Sequence, residues 1–160
     1  MTKLDELMRC IHNSHVYIQM HNFPDQDAIA SAMGLQHLLK TRGKSSTIIY
    51  HGIIDKENTL MMIDILNIEL KPLEAIEFNE SDEIIVIDGQ KGNMNMHSIT
   101  GNVIACIDHH KKQNTDCYLF YDIPTGIGAC SSIIASYYKE NGIELPVDVA
   151  TALVYGLDFL

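Results

Sequence analysis

A chain of 160 residues, 46% hydrophobic and 20% charged, has the size and composition of one globular domain with a sizeable core. Twenty-one acidic against eleven basic residues give a net charge of −10, which argues against a long polyanion such as duplex DNA as a scanned partner. No run approaches the roughly 18 apolar residues of a membrane span, and Met1-Thr2-Lys3-Leu4-Asp5-Glu6 begins no signal-peptide core, so a cytoplasmic, non-membrane protein is expected.

Leu4, Leu7, Met8 and Ile11 recur at helical spacing across residues 3–13, and His15–His21 then reads as a strand ending in a polar turn. From Gln26 to Arg42, Ala28, Ala32, Leu35 and Leu39 share one helical face, and Gly43 is a natural stop. Ser46–Tyr50 reads as a second strand and Leu60–Leu66 as a further helix. Ile84-Ile85-Val86-Ile87, ending at Asp88-Gly89, and Val103–Ile107, ending at Asp108, are short apolar runs without alternation. Such runs suit strands buried on both faces of a parallel sheet. Cys117–Tyr121 is another strand candidate, while Ile127–Glu140 and Val147–Tyr155 read as helices, the second introduced by Pro146.

Strands alternating with helices imply right-handed crossovers and an α/β fold: a doubly wound, mainly parallel sheet with helices on both faces, as one domain over 1–160. In that architecture ligands bind beyond the carboxyl ends of the strands. His21, Asp88 and Asp108 each stand at the end of an expected strand. A dinucleotide-binding reading is weak, because the turn after the first strand lacks G-x-G-x-x-G and Gly126-x-Gly128 lies too late in the chain.

Cys10, Cys106, Cys117 and Cys130 form no C-x-x-C pair and read as reduced packing residues. Cys130, beside Ser131 and Ser132, would serve as a phosphatase nucleophile only with an arginine nearby, and the chain has only Arg9 and Arg42.

The segment His21-Asn22-Phe23-Pro24-Asp25-Gln26-Asp27 places one imidazole and two carboxylates on a turn between strand and helix, though Asp25 would equally serve as a helix cap. Asp88 is either a ligand or a turn residue before Gly89. Asp108-His109-His110 is harder to explain structurally, because three ionisable groups directly after a buried strand are costly unless solvated, paired or metal-bound. Carboxylates and imidazoles without thiolates suit Mn²⁺ first, with Mg²⁺ or Co²⁺ as alternatives. Five or six such ligands exceed the needs of one ion and fit two divalent metals about 3.5–4 Å apart, an arrangement that activates water against phosphorus.

In order and spacing, His21 to Asp27, Asp88, Asp108-His109-His110 and Gly126-Ile127-Gly128-Ala129-Cys130-Ser131-Ser132 resemble the motifs of the DHH phosphoesterase superfamily, over roughly residues 15–158. That superfamily includes inorganic pyrophosphatases, single-strand exonucleases, and phosphodiesterases of short oligonucleotides and cyclic dinucleotides. The resemblance implies that His21 and Asp25 bind one metal, Asp27 and His109 the other, and that Asp88 bridges them. It further implies that Asp108 orients a neighbouring imidazole and that His110 faces the substrate phosphate as donor or general acid. Gly126, Gly128, Ser131 and Ser132 would set a phosphate against helix N-terminal N–H groups, although a plain helix start also fits these residues.

Two departures stand out. The family places another metal-binding aspartate four residues after a glycine, but in Tyr155-Gly156-Leu157-Asp158-Phe159-Leu160 the available carboxylate, Asp158, comes two residues after it. Either the backbone rearranges so that Asp158 binds, or the second metal is short of a ligand. Relatives also continue into a smaller C-terminal domain that clamps substrate, whereas here Lys111 and Lys112 are the only basic residues beside the motifs. The chain is therefore expected to match the N-terminal, catalytic part of a two-domain architecture. The expected function is metal-dependent hydrolysis of a small phosphodiester or phosphoanhydride: a short single-stranded oligonucleotide, a nucleotide or a polyphosphate. The alternative is a degenerate metal- or nucleotide-binding regulatory module without turnover. Apolar residues around Leu153–Leu160 offer a face for a homodimer.

Overall fold

The computed structural model describes residues 1–157, and Asp158 lies outside the described residues. Helix α1 (Lys3–Cys10) opens with a capping box: the Thr2 side chain accepts from Asp5 N–H while the Asp5 carboxylate accepts from Thr2 N–H. Strand β1 (His15–Met20) leads through a turn to α2 (Gln26–Thr41), whose N-cap is Asp25, its carboxylate accepting from Ala28 N–H. Then come β2 (Ser45–Tyr50), α3 (Glu57–Ile65), the two-residue β3 (Lys71–Pro72), β4 (Glu83–Ile87), β5 (Asn102–Ile107), β6 (Phe120–Asp122), α4 (Cys130–Asn141) and α5 (Val147–Leu157).

The six strands form one sheet in the order β3-β2-β1-β4-β5-β6, with every pairing parallel. The chain winds outward through β2 and β3 on one side of β1, then returns and winds outward through β4, β5 and β6 on the other. This is the doubly wound arrangement, and its switch point lies between β1 and β4. Residues His21, Asp88 and Asp108 therefore emerge from three adjacent strands, roughly 4.8 Å apart along the sheet edge.

All five α-helices contribute to the larger core cluster, which joins residues such as Leu4, Leu35, Met62, Ile134 and Leu153 to Ile18, Ile85 and Ile107 of the sheet. Alternate residues of β4, Ile84 and Val86, point instead into a smaller cluster with Met96, Val103, Cys106 and Tyr118. Helices were expected on both faces, but this second face is roofed by the connections after β4 and β5. Those segments, 88–101 and 108–119, hold no α-helix. Segment 88–101 carries Gly89, Gly92 and Gly101, which disfavour a helix.

Three elements start three residues away from expectation, among them α3, which begins at Glu57 rather than Leu60. The last strand covers Phe120–Asp122 rather than Cys117–Tyr121, because Tyr118 N–H turns back onto the Thr115 carbonyl before pairing with β5 begins. Helix α4 starts at Cys130 rather than Ile127, because Gly126 has φ +75° and Ala129 is extended.

Ile18, fully buried at the centre of the sheet, tests the core. Ile18→Ala is expected to cost about 2–5 kcal/mol in chemical denaturation, whereas Met94→Ala at an exposed site should change stability by no more than about 0.5 kcal/mol. Equal losses in the two variants would contradict this packing.

Candidate metal centre

Beyond the carboxyl ends of β1, β4 and β5 lies a cleft of about 290 Å³ lined by His21, Asp25, Asp27, Asp88, His109 and His110, with Asn95, Gly128, Ala129 and Gly156 completing the wall. Asp88 stands at its centre. One carboxylate oxygen, Oδ2, is 3.3 Å from His21 Nε2, and the other, Oδ1, is 3.1 Å from His109 Nε2. Each imidazole has a second carboxylate partner: Asp25 Oδ1 is 3.7 Å from His21 Nε2, and Asp27 Oδ2 is 3.6 Å from His109 Nε2. Two half-sites, His21 with Asp25 and His109 with Asp27, thus share Asp88.

The backbone dictates these orientations. Asp88 has φ +56°, a left-handed conformation that aspartate tolerates better than most residues. Its N–H still bonds the Ile107 carbonyl at 2.9 Å, so the strand ladder holds it while the turn releases its side chain. His21 Nδ1 lies 2.8 Å from the Asn22 carbonyl and His109 Nδ1 lies 3.2 Å from the Ile127 carbonyl. With Nδ1–H donated to a carbonyl, each ring turns Nε2 into the cleft, the usual way a metal-binding histidine is oriented.

Asp27 is fixed by α4. Its Oδ2 accepts from Cys130 N–H at 2.9 Å, and its Oδ1 accepts from Ser131 N–H at 2.8 Å and Ser131 Oγ at 2.7 Å. The anion at this helix N-terminus is therefore a carboxylate of the chain itself, where a substrate phosphate was expected. Ser131 is wholly buried, Ser132 N–H bonds the Ala129 carbonyl, and exposed Gly126 lies outside the cleft lining, whereas Gly128 is part of it. Segment 126–132 supplies the Ile127 carbonyl that aims His109 and the amides that hold Asp27. Gly156 of α5 permits this closeness, since a Cβ there would collide with Ser131 Oγ. Cys130 is fully buried and its thiol is pushed well up by burial, which removes the nucleophile reading.

Asp108, also fully buried, accepts at Oδ1 from His110 Nδ1 at 2.7 Å and at Oδ2 from Gln90 Nε2 at 2.8 Å. Gln90 also donates to the Lys111 carbonyl and accepts from Gln113 N–H, so one buried amide ties the turn after β4 to the turn after β5. The sequence motifs left out Gln90 and Asn95. Only the position of Gln90, two residues beyond a strand-ending aspartate, hinted at its role, and Asn95 is brought to the cleft purely by the path of segment 88–101.

The residues suit divalent cations. Asp88 Oδ1 is buried and lacks a well-formed hydrogen bond despite its proximity to His109, the kind of orphaned anion that a bound ion would satisfy. Two neighbouring sets, His21-Asp25-Asp88 and Asp88-Asp108-His109-His110, each converge closely enough to hold an ion. Protons take the place of such ions in the pKa pattern. Burial opposes a charge on His21, yet Asp25 and Asp88 outweigh it and raise its pKa to about 10. Contact with Asp88 raises His109 to about 9 against the effect of burial. Burial likewise opposes charge on Asp25, but His21 and Ala28 N–H hold its pKa low, while burial and the Asp88 charge push Asp27 up.

Both histidines are raised above the ordinary value of 6.5, so their ion pairs contribute stability fully below that pH and lose it as pH rises through about 9 and 10. In EDTA the thermal midpoint should therefore decline across this window, and less steeply in His109→Ala. Mn²⁺ must displace the same protons, so calorimetric titration at neutral pH in buffers of different ionisation heat should read net proton release. Binding without proton release would refute the assignment of the imidazoles as ligands.

The model of the DHH family, N-terminal domain, matches residues 15–157. The chain is 38% identical over 141 residues to an uncharacterized protein of Methanocaldococcus jannaschii, covering 88% of this chain and 29% of that one. It is 28% identical over 144 residues to a probable manganese-dependent inorganic pyrophosphatase of Enterococcus faecalis, covering 88% of this chain and 46% of that one. The corresponding protein of Bacillus licheniformis is 31% identical over 140 residues, 86% of this chain and 45% of the relative. The chain thus spans less than half the length of these relatives. In three dimensions it is similar to an exopolyphosphatase-related protein from Bacteroides fragilis, with a TM-score of 0.73 at 16% identity, over 98% of this chain and 49% of that one. Because that family model spans residues 15–157, most of its length, the chain belongs to the DHH family and corresponds to its N-terminal domain.

Proposed function

We propose that this domain is the metal-binding half of a hydrolase acting on small phosphate compounds, with phosphoanhydrides such as pyrophosphate or short polyphosphate favoured over short oligonucleotides and nucleotides. The observation that carries the proposal is the Asp88 carboxylate, whose two oxygens lie against His21 and His109 in a cleft shared with Asp25 and Asp27. The names of the manganese-dependent pyrophosphatase relatives and of the exopolyphosphatase-related neighbour favour phosphoanhydrides and manganese.

In this reading His21 and Asp25 hold one divalent ion, His109 and Asp27 hold a second, and Asp88 serves both. Such ions neutralise phosphate oxygens and acidify water when bound. The remaining work falls to the chain. The α4 N-terminus stabilises Asp27 as an anion, and the two backbone carbonyls keep His21 and His109 from rotating. His110, about half exposed on the rim, donates a proton to a phosphate or leaving-group oxygen, with Asp108 stabilising its cationic form. A single DHH-type unit with a second, substrate-covering domain in the whole protein is part of the proposal, in line with the length of the relatives.

With Mn²⁺ present, phosphate release from pyrophosphate and tripolyphosphate should exceed nitrophenol release from bis-p-nitrophenyl phosphate, and EDTA should abolish all three. Asp88→Ala and His109→Ala should each lower turnover about a hundredfold or more, the loss expected when a charge-stabilising group is removed. Tight manganese binding with no turnover of any of these substrates would instead identify a binding or regulatory module.

Asp108→Asn separates positioning from ligation. It should slow turnover about 10–100-fold through His110 while calorimetry shows unchanged manganese affinity. Loss of metal binding in that variant would make Asp108 a ligand and overturn the positioning role.

A further inference from the structure

At the opposite pole of the sheet, away from the metal centre, lies a larger cavity of about 700 Å³. It opens between the last turns of α2, the start of β2 and the first turn of α5. Met33 and Val149 contribute its apolar surface, and His37, Lys40, Lys44 and Ser46 contribute polar groups. None of these residues takes part in the chemistry assigned to the metal centre.

The charge around this cavity is opposite to that of the chain. From Ala28 through Ile54 the sequence has no Asp or Glu, although the whole chain has 21, and three of its eleven basic residues fall within 40–44. Arg42 is spent on Asp5, which it meets at 2.8 Å. Lys40 is exposed and has no ion-pair partner among the described residues. Lys44 Nζ gives one hydrogen bond to the Asn13 carbonyl at 2.7 Å and keeps two N–H groups for other acceptors. The single carboxylate in the lining, Asp148, accepts from Val149 N–H. His37 stacks on Tyr138 with Nδ1 against the Tyr138 hydroxyl, and that hydroxyl itself donates to the Gly34 carbonyl. His37 Nδ1 is therefore the donor, and Nε2 remains as an acceptor.

A bare anion would fill only a small part of such a volume, and the apolar wall gives it nothing. The size falls in the range of small-molecule sites, roughly 300–1,000 Å³, and the combination of apolar wall, polar edge groups and two lysine point charges matches an anion with a flat apolar body. We propose that this cavity is a second ligand site, separate from the metal centre, for a nucleoside monophosphate: phosphate at Lys40 and Lys44, base against Met33 and Val149, with His37 offering a polar contact to the base edge. Helices α2 and α5 each reach both sites, since Asp25 and Asp27 open α2 and Gly156 closes α5 at the metal cleft.

The test is amide chemical-shift mapping of the isotopically labelled full chain in EDTA, titrated separately with AMP, CMP, adenosine and inorganic phosphate. AMP or CMP should shift amides of residues 36–46 and 147–149. Phosphate alone and adenosine alone should each bind at least about tenfold more weakly than the best nucleotide, and Lys40→Glu should weaken that nucleotide about tenfold, as expected for loss of one charge-assisted contact. His37→Phe, which keeps both lysines, should weaken the nucleotide but leave the phosphate response unchanged. Shifts confined to residues 21–27 and 108–110, no shifts with either nucleotide, or phosphate binding as tightly as the nucleotides would each overturn the proposal.

Discussion

Everything at the metal centre depends on one carboxylate in an uncommon backbone conformation. Asp88 directly follows β4 at the switch point with φ +56°, a state that costs of order 1–3 kcal/mol and persists only where its surroundings impose it. The surroundings do so: its N–H continues the ladder to Ile107, and its side chain is shut between two imidazoles. A carboxylate buried this deeply is tolerable only with compensating positive charge. Protonated His21 and His109 provide that compensation in the metal-free chain, and bound cations would provide it otherwise.

The remaining constraints radiate from that point into the core. Asp27 holds position because the first turn of α4 points its amides at it, and α4 can come that close because position 156 lacks a Cβ. Asp108, buried on the neighbouring strand end, is held by Gln90 and in turn holds His110 at the rim. The helices that carry these groups bury Ala28, Leu35, Ile134, Ala152 and Leu153 in one continuous cluster. Packing of the apolar residues and placement of the charged ones are thus a single problem, because each carboxylate sits on an element whose other residues are core.

Much of this was legible in order along the chain. Unalternating β-branched runs at 84–87 and 103–107 marked buried parallel strands, and the charged residues directly after them marked the functional edge. Segment 126–132 was recognisable as a motif, but its work was not. A helix N-terminus attracts any anion, and nothing local to that segment indicates that Asp27, a hundred residues earlier, would occupy it. The start expected for the last strand lies three residues early for a similar reason: apolar Tyr118 resembles a strand residue, yet a turn at Thr115 delays the first hydrogen bond to β5 until Leu119.

By itself the sequence determined the candidate residues and their order: His21, Asp88 and His109 just beyond expected strands, with Asp25 and Asp27 at the start of the helix after the first, within a doubly wound parallel fold. Periodicity and residue chemistry are local properties, so they survive reading one residue at a time. Tertiary structure decided the partnerships. Which oxygen of Asp88 meets which imidazole, why α4 caps Asp27, how Gln90 reaches Asp108, and where a basic, apolar-lined cavity opens at the far pole all depend on strand order and helix approach. Those are set by burying many side chains at once, and no single stretch of sequence contains that sum.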